Sequence, residues 1–491
     1  EKLTDSRMSD LLVAMSLPKI LILPLVGVRM PKSIWRVVVL PAPLGPKIPR
    51  ISPSAMSKLI PLIIGDFLNV LVRFFTSSIG IRIVYHWRCT IFFCMNDRLS
   101  RNIPAYYVMR ALTLPFFWLP ILYYYLTAIK GFSVAETTIL LGLQEFLLIF
   151  LEVPTGVVAD KISRKFSVAL GTLIIPLPFV FLPYFDSFTA VIVLFVFRAI
   201  GKALLSGADS ALLYDTLLDL GRTSEYKTIK TKSVAWMMGV SAIAIFLGGW
   251  MGQYGMYQLA LTLPLPLYLI AFTAILMMVE PETSKKAKEI QETNYFKHIS
   301  SSIKLVVTNH KILILAIAFA FLEGLAVNMK WYYPAIFGHL GFGLGLIGTI
   351  MSALYLVKSF AYGIGSSLIL KDAYKNTTLW LSVVTLSWLI SGLITNIVTT
   401  LPALVLILLG SELAINSTEE LIHAGLESSV RATAMSFVNL LSSVSATIMI
   451  GLWGVVIDIR SLPASMMVQG LIFAAITTLL WQSRRFFGSK N

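Results

Sequence analysis

Charged residues and cysteines are both scarce in this chain of 491 residues. Asp, Glu, Lys and Arg make up 13% of it, against the roughly one-quarter expected of a soluble domain. The two cysteines, Cys89 and Cys94, leave no disulfide framework, and the five histidines are scattered without the spacing of a metal site. Hydrophobic residues account for 57%. The composition therefore excludes an ordinary soluble protein and indicates a membrane protein.

Apolar runs close to the ~20 residues that cross a bilayer recur along the chain. Because a backbone in lipid must satisfy its hydrogen bonds within the segment, these runs predict helices. The twelve runs cover about 103–128, 135–157, 166–185, 187–212, 233–252, 256–279, 312–334, 344–368, 378–398, 400–420, 433–456 and 463–483. We expect an all-α membrane protein with twelve transmembrane helices.

Lys and Arg residues outside these runs fall almost entirely in alternate loops. Only Lys130 and Arg460 lie in the other set of loops. Since cytoplasmic loops retain positive charge, this asymmetry predicts that both termini are cytoplasmic. The net charge of +15 is then explained by topology and by contact with anionic membrane lipids, and no nucleic acid is expected as a partner.

Composition divides the chain into four segments. Residues 1–94 hold nine of the 22 prolines and twelve basic residues against four acidic ones; prolines at that density forbid a continuous helix. We predict that this extension is not part of the native protein, although a real amphipathic extension is the alternative. Residues 95–280 carry the first six runs, 281–310 form a polar cytoplasmic linker, and 311–491 carry the other six, which predicts two six-helix bundles.

A short cationic turn, EVPTGVVADKISRK at 152–165, joins the second and third runs. It resembles the loop between the second and third helices of the major facilitator superfamily, with the pattern Gly-x-x-x-Asp-(Arg/Lys)-x-Gly-Arg-(Arg/Lys). The matching residues are Gly156, Asp160, Lys161, Arg164 and Lys165, while Ser163 replaces the usual glycine. The resemblance runs from about Met95 to Arg485 and implies the fold of that superfamily and a solute carrier.

In the superfamily, this turn holds the cytoplasmic face of the carrier closed. The resemblance implies that Asp160 meets the positive N-terminus of the eleventh helix, which begins after Arg431. It also implies that Arg164 pairs with Asp215 at the inner end of the fourth helix. Glu152, just before the turn, is assigned a structural role.

Several ionisable residues fall at membrane depth, where each costs at least ~2.5–3.5 kcal/mol. They are therefore expected to face a wet cavity or one another. Some of these residues have a counterpart of opposite charge about 210 positions later in the sequence. This offset indicates an internal repeat. The corresponding residues are Arg110 and Glu323, Glu145 and Lys358, and Arg198 and Glu412. The alternative is a coincidence of loosely spaced charges, with Arg110 extending to the inner surface.

Two helices carry candidates for the transport pathway. Glu145 shares a stripe of the second helix with small residues, and a carboxylate in an apolar site suits a group that takes and releases a proton. On the fourth helix, Arg198, Lys202 and Asp209 are expected to share one face. Arg198 is predicted to hold a carboxylate or a substrate anion, because its guanidinium keeps its proton; a structural ion pair with Glu145 is the alternative.

Aromatic residues cluster in the first and seventh helices. They are Phe116, Phe117, Trp118, Tyr123, Tyr124, Tyr125, Trp331, Tyr332 and Tyr333. An interfacial belt is the favoured interpretation, and a site for an apolar or aromatic solute is the alternative.

The resemblance and the residues together predict a secondary active transporter in the cytoplasmic membrane that works by alternating access, as a monomer and without a cofactor or metal. Proton-coupled efflux of a small amphipathic compound is the leading function, and uptake of a nutrient such as a sugar is the alternative. Gly248 and Gly249 match the antiporter signature of the fifth helix, but Ala244 and Ile245 depart from it. An enzyme is not expected, since no HExxH or GxSxG motif occurs. A sensor that does not transport is a further alternative.

Overall fold

The structure is a computed structural model that describes residues 98–282, 306–368, 372–426 and 428–487. Side chains at 153, 360–368, 428–433, 436 and 483–487 lie outside this description. All regular elements in the described ranges are helices. They are α1 Asn102–Leu112, α2 Leu119–Tyr124, α3 Val134–Lys161, α4 Arg164–Ile174, α5 Leu177–Phe181, α6 Phe188–Leu205, α7 Ala208–Asp219, α8 Tyr226–Gln253, α9 Tyr257–Thr262, α10 Pro264–Leu276, α11 His310–His339, α12 Leu344–Leu368, α13 Ala373–Leu393, α14 Ile397–Ala424, α15 Ser428–Ile459 and α16 Leu462–Phe487.

The prediction of an all-α membrane protein is confirmed over these ranges. Ten helical segments are long and apolar enough to cross a membrane, and two shorter apolar segments cover Leu119–Ile129 and Leu344–Ser359. The count of twelve crossings and the cytoplasmic position of both termini stay predictions. The extension at 1–94 falls outside the described residues, as does most of the linker.

Four of the expected helices are broken, which corrects the sequence prediction for the runs at 103–128, 166–185, 187–212 and 256–279. Proline explains three of the breaks, because it removes a helical N–H and clashes with the preceding turn. Pro115 lies between α1 and α2, Pro176 between α4 and α5, and Pro264 begins α10. Between α6 and α7 the backbone turns at Gly207, whose φ of 75° is natural for glycine.

Helices before the linker pack mainly with each other, as do those after it. We call 98–282 the first set and 306–487 the second set. Two long pairs join them, α8 with α12 and α3 with α15, and α2 also meets α11. All the described residues fall in one compact unit, so the division into two six-helix bundles stays a prediction.

Polar and glycine contacts between the two sets gather at one end of the helices, here called the Asp458 end. Asp458 accepts hydrogen bonds from the backbone N–H groups of Val134 at 3.2 Å and Ala135 at 2.7 Å. Those N–H groups open α3 and have no acceptor within their own helix, so a carboxylate suits them. Nearby, Gln253 accepts from the N–H of Gly345 at 3.2 Å. These bonds tie both long pairs together at the Asp458 end.

Glycine allows the closest approach between the sets. A Cβ atom on Gly249 would lie 2.6 Å from the Cα atom of Gly348 and 2.7 Å from the carbonyl oxygen of Leu344. Both neighbours are backbone atoms, which cannot rotate away as a flexible side chain does. The α8 and α12 backbones therefore touch only because these positions lack side chains.

We predict that Gly249→Ala destabilises the purified protein, because the added methyl group pushes α8 away from α12. Overpacking of this kind costs about 1–3 kcal/mol. Gly451→Ala is the matched control, since a Cβ atom there meets nothing within 4 Å. Thermal unfolding in detergent measures both variants, and an equal melting temperature for the two contradicts the close contact.

Candidate functional site

The cationic turn lies between α3 and α4. Arg164 opens α4, and its guanidinium forms an ion pair with the buried carboxylate of Asp215 on α7. Its Nε atom lies 3.8 Å from the carboxylate of Asp160, one turn earlier in the chain. The pairing implied by the resemblance is thus present, although its role in gating stays a prediction. Lys161 is exposed.

A carboxylate that the sequence analysis did not single out occupies the start of α4. Glu280 accepts hydrogen bonds from the backbone N–H groups of Arg164 and Lys165, both at 3.0 Å, and from the Ser163 hydroxyl at 2.7 Å. The first N–H groups of a helix lack helical acceptors and carry partial positive charge. Glu280 therefore satisfies the N-terminus of α4 from a position just before the linker.

The side chain of Lys165 strengthens the same contact. Its Nζ atom donates to the carbonyl oxygens of Leu276 at 2.8 Å and Met278 at 2.6 Å, at the end of α10. The turn is thus tied to the segment that leads into the linker. The other expected contact, between Asp160 and the eleventh helix near Arg431, involves side chains outside the described residues.

Two further carboxylates, Glu152 and Asp372, differ in their surroundings. Glu152 is exposed and accepts from the Ser206 hydroxyl at 3.4 Å. Asp372 precedes α13, and its side chain accepts from the backbone N–H of Lys375 at 3.1 Å and caps that helix. That hydrogen bond holds the pKa of the Asp372 carboxyl below its usual value.

Three ion pairs among the described residues involve the ionisable side chains that the sequence predicts at membrane depth. Arg110 on α1 contacts Asp209 on α7 at 3.0 Å. Lys202 on α6 contacts Glu145 on α3 at 2.7 Å, and Lys358 on α12 contacts Glu412 on α14 at 2.5 Å. Each pair joins two helices, so most of these charges face one another as expected. No pair joins the residues that correspond across the internal repeat.

The prediction that Arg198, Lys202 and Asp209 share one helical face is wrong. Because the backbone breaks at Gly207, Asp209 begins a new helix and turns toward Arg110 on α1. Arg198 and Lys202 remain one turn apart on α6. The partner suggested for Glu145 also changes: Lys202, rather than Arg198, forms the ion pair.

Arg198 lies instead against aromatic rings. Its guanidinium carbon is 5.0 Å from the centre of a Trp118 ring and 5.1 Å from that of Phe179. The residue is 7% exposed, and its Nε atom has no hydrogen-bond partner in the described part of the chain. Arg198 is therefore a buried cation with unused donor capacity.

A second cation without an ion pair among the described residues is Lys330 on α11, which is partly exposed and was not predicted from the sequence. Its Nζ atom is 5.1 Å from the centre of the Trp331 ring. The charge of Lys330 interacts with those of Glu145, Lys202, Arg198 and Lys358. A lone lysine two-thirds of the way along an apolar helix was the available signal.

Glu323 and the aromatic residues complete the centre. Glu323, also on α11, is partly exposed and its charge interacts with those of Glu412 and Lys358. Trp118 and Trp331 stack with ring centres 5.8 Å apart and are each 4% exposed. The prediction of an interfacial belt is thus wrong for most aromatic residues of the first and seventh predicted helices, because they are buried inside the protein. They are Phe117, Trp118, Tyr125, Trp331, Tyr332 and Tyr333.

Groups that hold a metal are not found among the described residues, where no three His, Cys, Asp or Glu side chains cluster suitably. The arrangement consists of charge pairs, two cations against aromatic rings, and a cationic turn. It is suited to binding and to movement between helices rather than to bond breaking.

We predict that Glu280→Ala speeds hydrogen–deuterium exchange of the backbone N–H groups of Arg164 and Lys165 by about tenfold. That factor corresponds to losing about 1.4 kcal/mol of local protection, the size of one hydrogen bond. Glu420→Ala is the control, because Glu420 is an exposed carboxylate of α14. Exchange at the turn that stays as slow in Glu280→Ala as in the control contradicts the contact.

Known proteins resemble this chain over most of its described length. The pattern of the Major Facilitator Superfamily matches residues 105–449. An uncharacterised MFS-type transporter of Bacillus subtilis, YxaM, is 21% identical over 232 residues, which are 45% of this chain and 55% of that protein. The chain thus spans about half the length of this curated relative.

Solved structures share the fold. The nucleoside transporter NupG superposes with a TM-score of 0.64 at 13% identity, over 81% of this chain and 100% of that one. The POT family transporter PepTSo gives a TM-score of 0.61 at 13% identity, over 80% and 99%. Since the family pattern covers well over half of the sequence and the fold agrees, the chain belongs to the Major Facilitator Superfamily, a family of transporters rather than enzymes.

Proposed function

We propose that the protein is a secondary transporter that moves a small solute across the cytoplasmic membrane by alternating access. The observation that carries this proposal is the set of ionisable groups held between helices at membrane depth. Such groups are costly in lipid and mark pathways for ions and solutes. In carriers of this type, the solute site lies near the midplane between two repeats.

The distribution of contacts supports one particular state of the cycle. Among the described residues, the hydrogen bonds between the two sets lie at the Asp458 end. At the opposite end, named here the Asp160 end, the described ion pairs of the turn stay within the first set. The loop charges favour a cytoplasmic Asp160 end. The arrangement is therefore inward-open.

The turn would act as a brace in the opposite, outward-open state. A charged cluster lies beside Gly156 at the Asp160 end. Its members are Asp160, Lys161, Arg164, Lys165 and Asp215. Glu280 links that cluster to the segment leading into the linker. A rigid connection of this kind lets a movement of the first set reach the linker as one body.

Protons are the proposed coupling ion, and Glu145 is the leading site. Its Oε1 atom accepts hydrogen bonds from Lys202 at 2.7 Å and from Gln144 at 3.0 Å. A solute that displaces Lys202 would leave a carboxylate without its partner, which favours uptake of a proton. Glu323 and Glu412 are the next candidates, because they lie beside Lys358 in the second set.

Efflux is the proposed direction of transport. The proposed solute is an amphipathic compound, and the proposed working unit is a monomer. Buried aromatic rings beside charged groups suit a solute that is partly apolar. Uptake of a nutrient is the second candidate. It is favoured by the departure of Ala244 and Ile245 from the antiporter signature. It is also favoured by two structural relatives, the nucleoside transporter NupG and a POT family transporter in complex with a thioalcohol-conjugated peptide.

We predict that Glu145→Gln abolishes accumulation of solute against its gradient while downhill exchange continues, because the variant loses the proton site and keeps the pathway. The assay uses proteoliposomes, a pH gradient, and a solute first identified by its thermal stabilisation of the purified protein. Glu420→Gln, at an exposed carboxylate of α14, serves as the control. Should Glu145→Gln still concentrate the solute in a pH-dependent way, the proton site lies elsewhere.

A further inference from the structure

Two cations at the centre of the molecule have no carboxylate partner in the described part of the chain. Arg110, Lys202 and Lys358 each lie within 4 Å of a carboxylate. Arg198 and Lys330 lack such an ion pair, although both interact electrostatically with Glu145. Lys202 also pairs with Glu145, so this one carboxylate interacts with three cations, Lys202, Arg198 and Lys330. The region around Glu145 therefore holds an excess of positive charge.

Both cations rest on one aromatic stack. Trp118 stacks on Phe179 with ring centres 4.3 Å apart and on Trp331 with ring centres 5.8 Å apart. Arg198 lies over Trp118 and Phe179, while Lys330 lies over Trp331. Contact with an aromatic face offsets only part of the cost of removing a cation from water. A stabilising partner for the two charges is thus still missing among the described residues.

Unused hydrogen-bond donors accompany these charges. The Nε atom of Arg198 and the Nε1 atom of Trp331 are buried and have no acceptor among the described residues. Buried donors in proteins are normally satisfied, so two at one place favour a ligand that supplies acceptors. Both the positive charge and the unmet donors are satisfied by an anion.

We propose that Arg198 and Lys330 bind the carboxylate of the transported solute, and that this solute is a small organic acid with an aromatic or similarly flat apolar body. The proposal rests on the transport function proposed above. The apolar body would pack on the Phe179, Trp118 and Trp331 rings, and the carboxylate would accept from the two cations and the indole N–H.

Binding across the two sets connects this site to movement. Arg198 belongs to α6 in the first set, and Lys330 belongs to α11 in the second. An anion held by both would draw the sets together around it. That differential contact is what a solute needs in order to shift the balance between conformations.

The test compares three indoles of similar shape on the purified full chain. Indole-3-acetate carries the carboxylate, indole-3-acetamide is neutral, and tryptamine is a cation; benzoate and phenylacetate extend the acid set. We expect the acids to raise the melting temperature and to bind in calorimetry, with the amide and the amine at least about tenfold weaker. Stabilisation by the amide or the amine equal to that by the acids, or no stabilisation by any acid, overturns the proposal.

Variants assign the binding to the two cations. Lys330→Gln and Arg198→Gln should each weaken the acid by about tenfold or more, whereas Lys330→Arg retains most of the affinity because it keeps the charge. Lys227→Gln, an exposed lysine on α8, is the matched control. If Arg198→Gln fails to fold, the Lys330 variants decide. Undiminished binding in Lys330→Gln overturns the assignment.

A separate measurement distinguishes a wrong substrate class from a wrong function. Single cysteines at exposed positions of the two ends, Tyr254 and Ala424, are placed in a chain whose Cys89 and Cys94 are replaced by serine. Their labelling rates in membranes report whether the ends open alternately as pH changes. Alternate opening without binding of acids overturns only the substrate class. Labelling that never changes, with acids bound, overturns transport and leaves an anion-binding protein.

Discussion

The cost of holding charge away from water is the constraint on which this molecule depends. The central residues Glu145, Arg198 and Lys330 lie well inside helices of both sets, and Lys202 lies in the last turn of α6. An ion pair such as Glu145 with Lys202 removes part of that cost only while the two helices stay in register. Positions of helices and states of charge are therefore linked, and movement of one changes the other.

The two ends of the molecule relate to this centre in different ways. At the Asp458 end, glycine contacts and the capping of α3 by Asp458 bring α3 against α15 and α8 against α12. At the Asp160 end, Arg164, Asp215 and Glu280 make the first set rigid within itself. A contact between the two sets at one end, and a cluster within one set at the other, suit alternating access, which is the proposed mechanism.

Sequence reasoning succeeded where a local pattern determines the outcome. Hydrophobic run length predicted helices, and the motif at the turn predicted the Arg164 and Asp215 pair. It failed where a contact depends on residues distant in the chain. Glu280 lies more than a hundred residues after the helix that it caps, and no periodicity reveals such a pairing. The break at Gly207 also removed Asp209 from the face assigned by helical period, and that single residue redirected Asp209 to Arg110.

Alternating access is tested most directly by distances between spin labels that span the two sets at each end. One pair joins Tyr254 to Ser461 at the Asp458 end, and the other joins Lys161 to Ala424 at the Asp160 end; all four positions are exposed. Double electron–electron resonance in lipid nanodiscs measures both distributions while pH and a stabilising solute are varied. The account predicts reciprocal change, with the first distance lengthening as the second shortens. Distributions that stay fixed at both ends, or that change in the same direction, would contradict it.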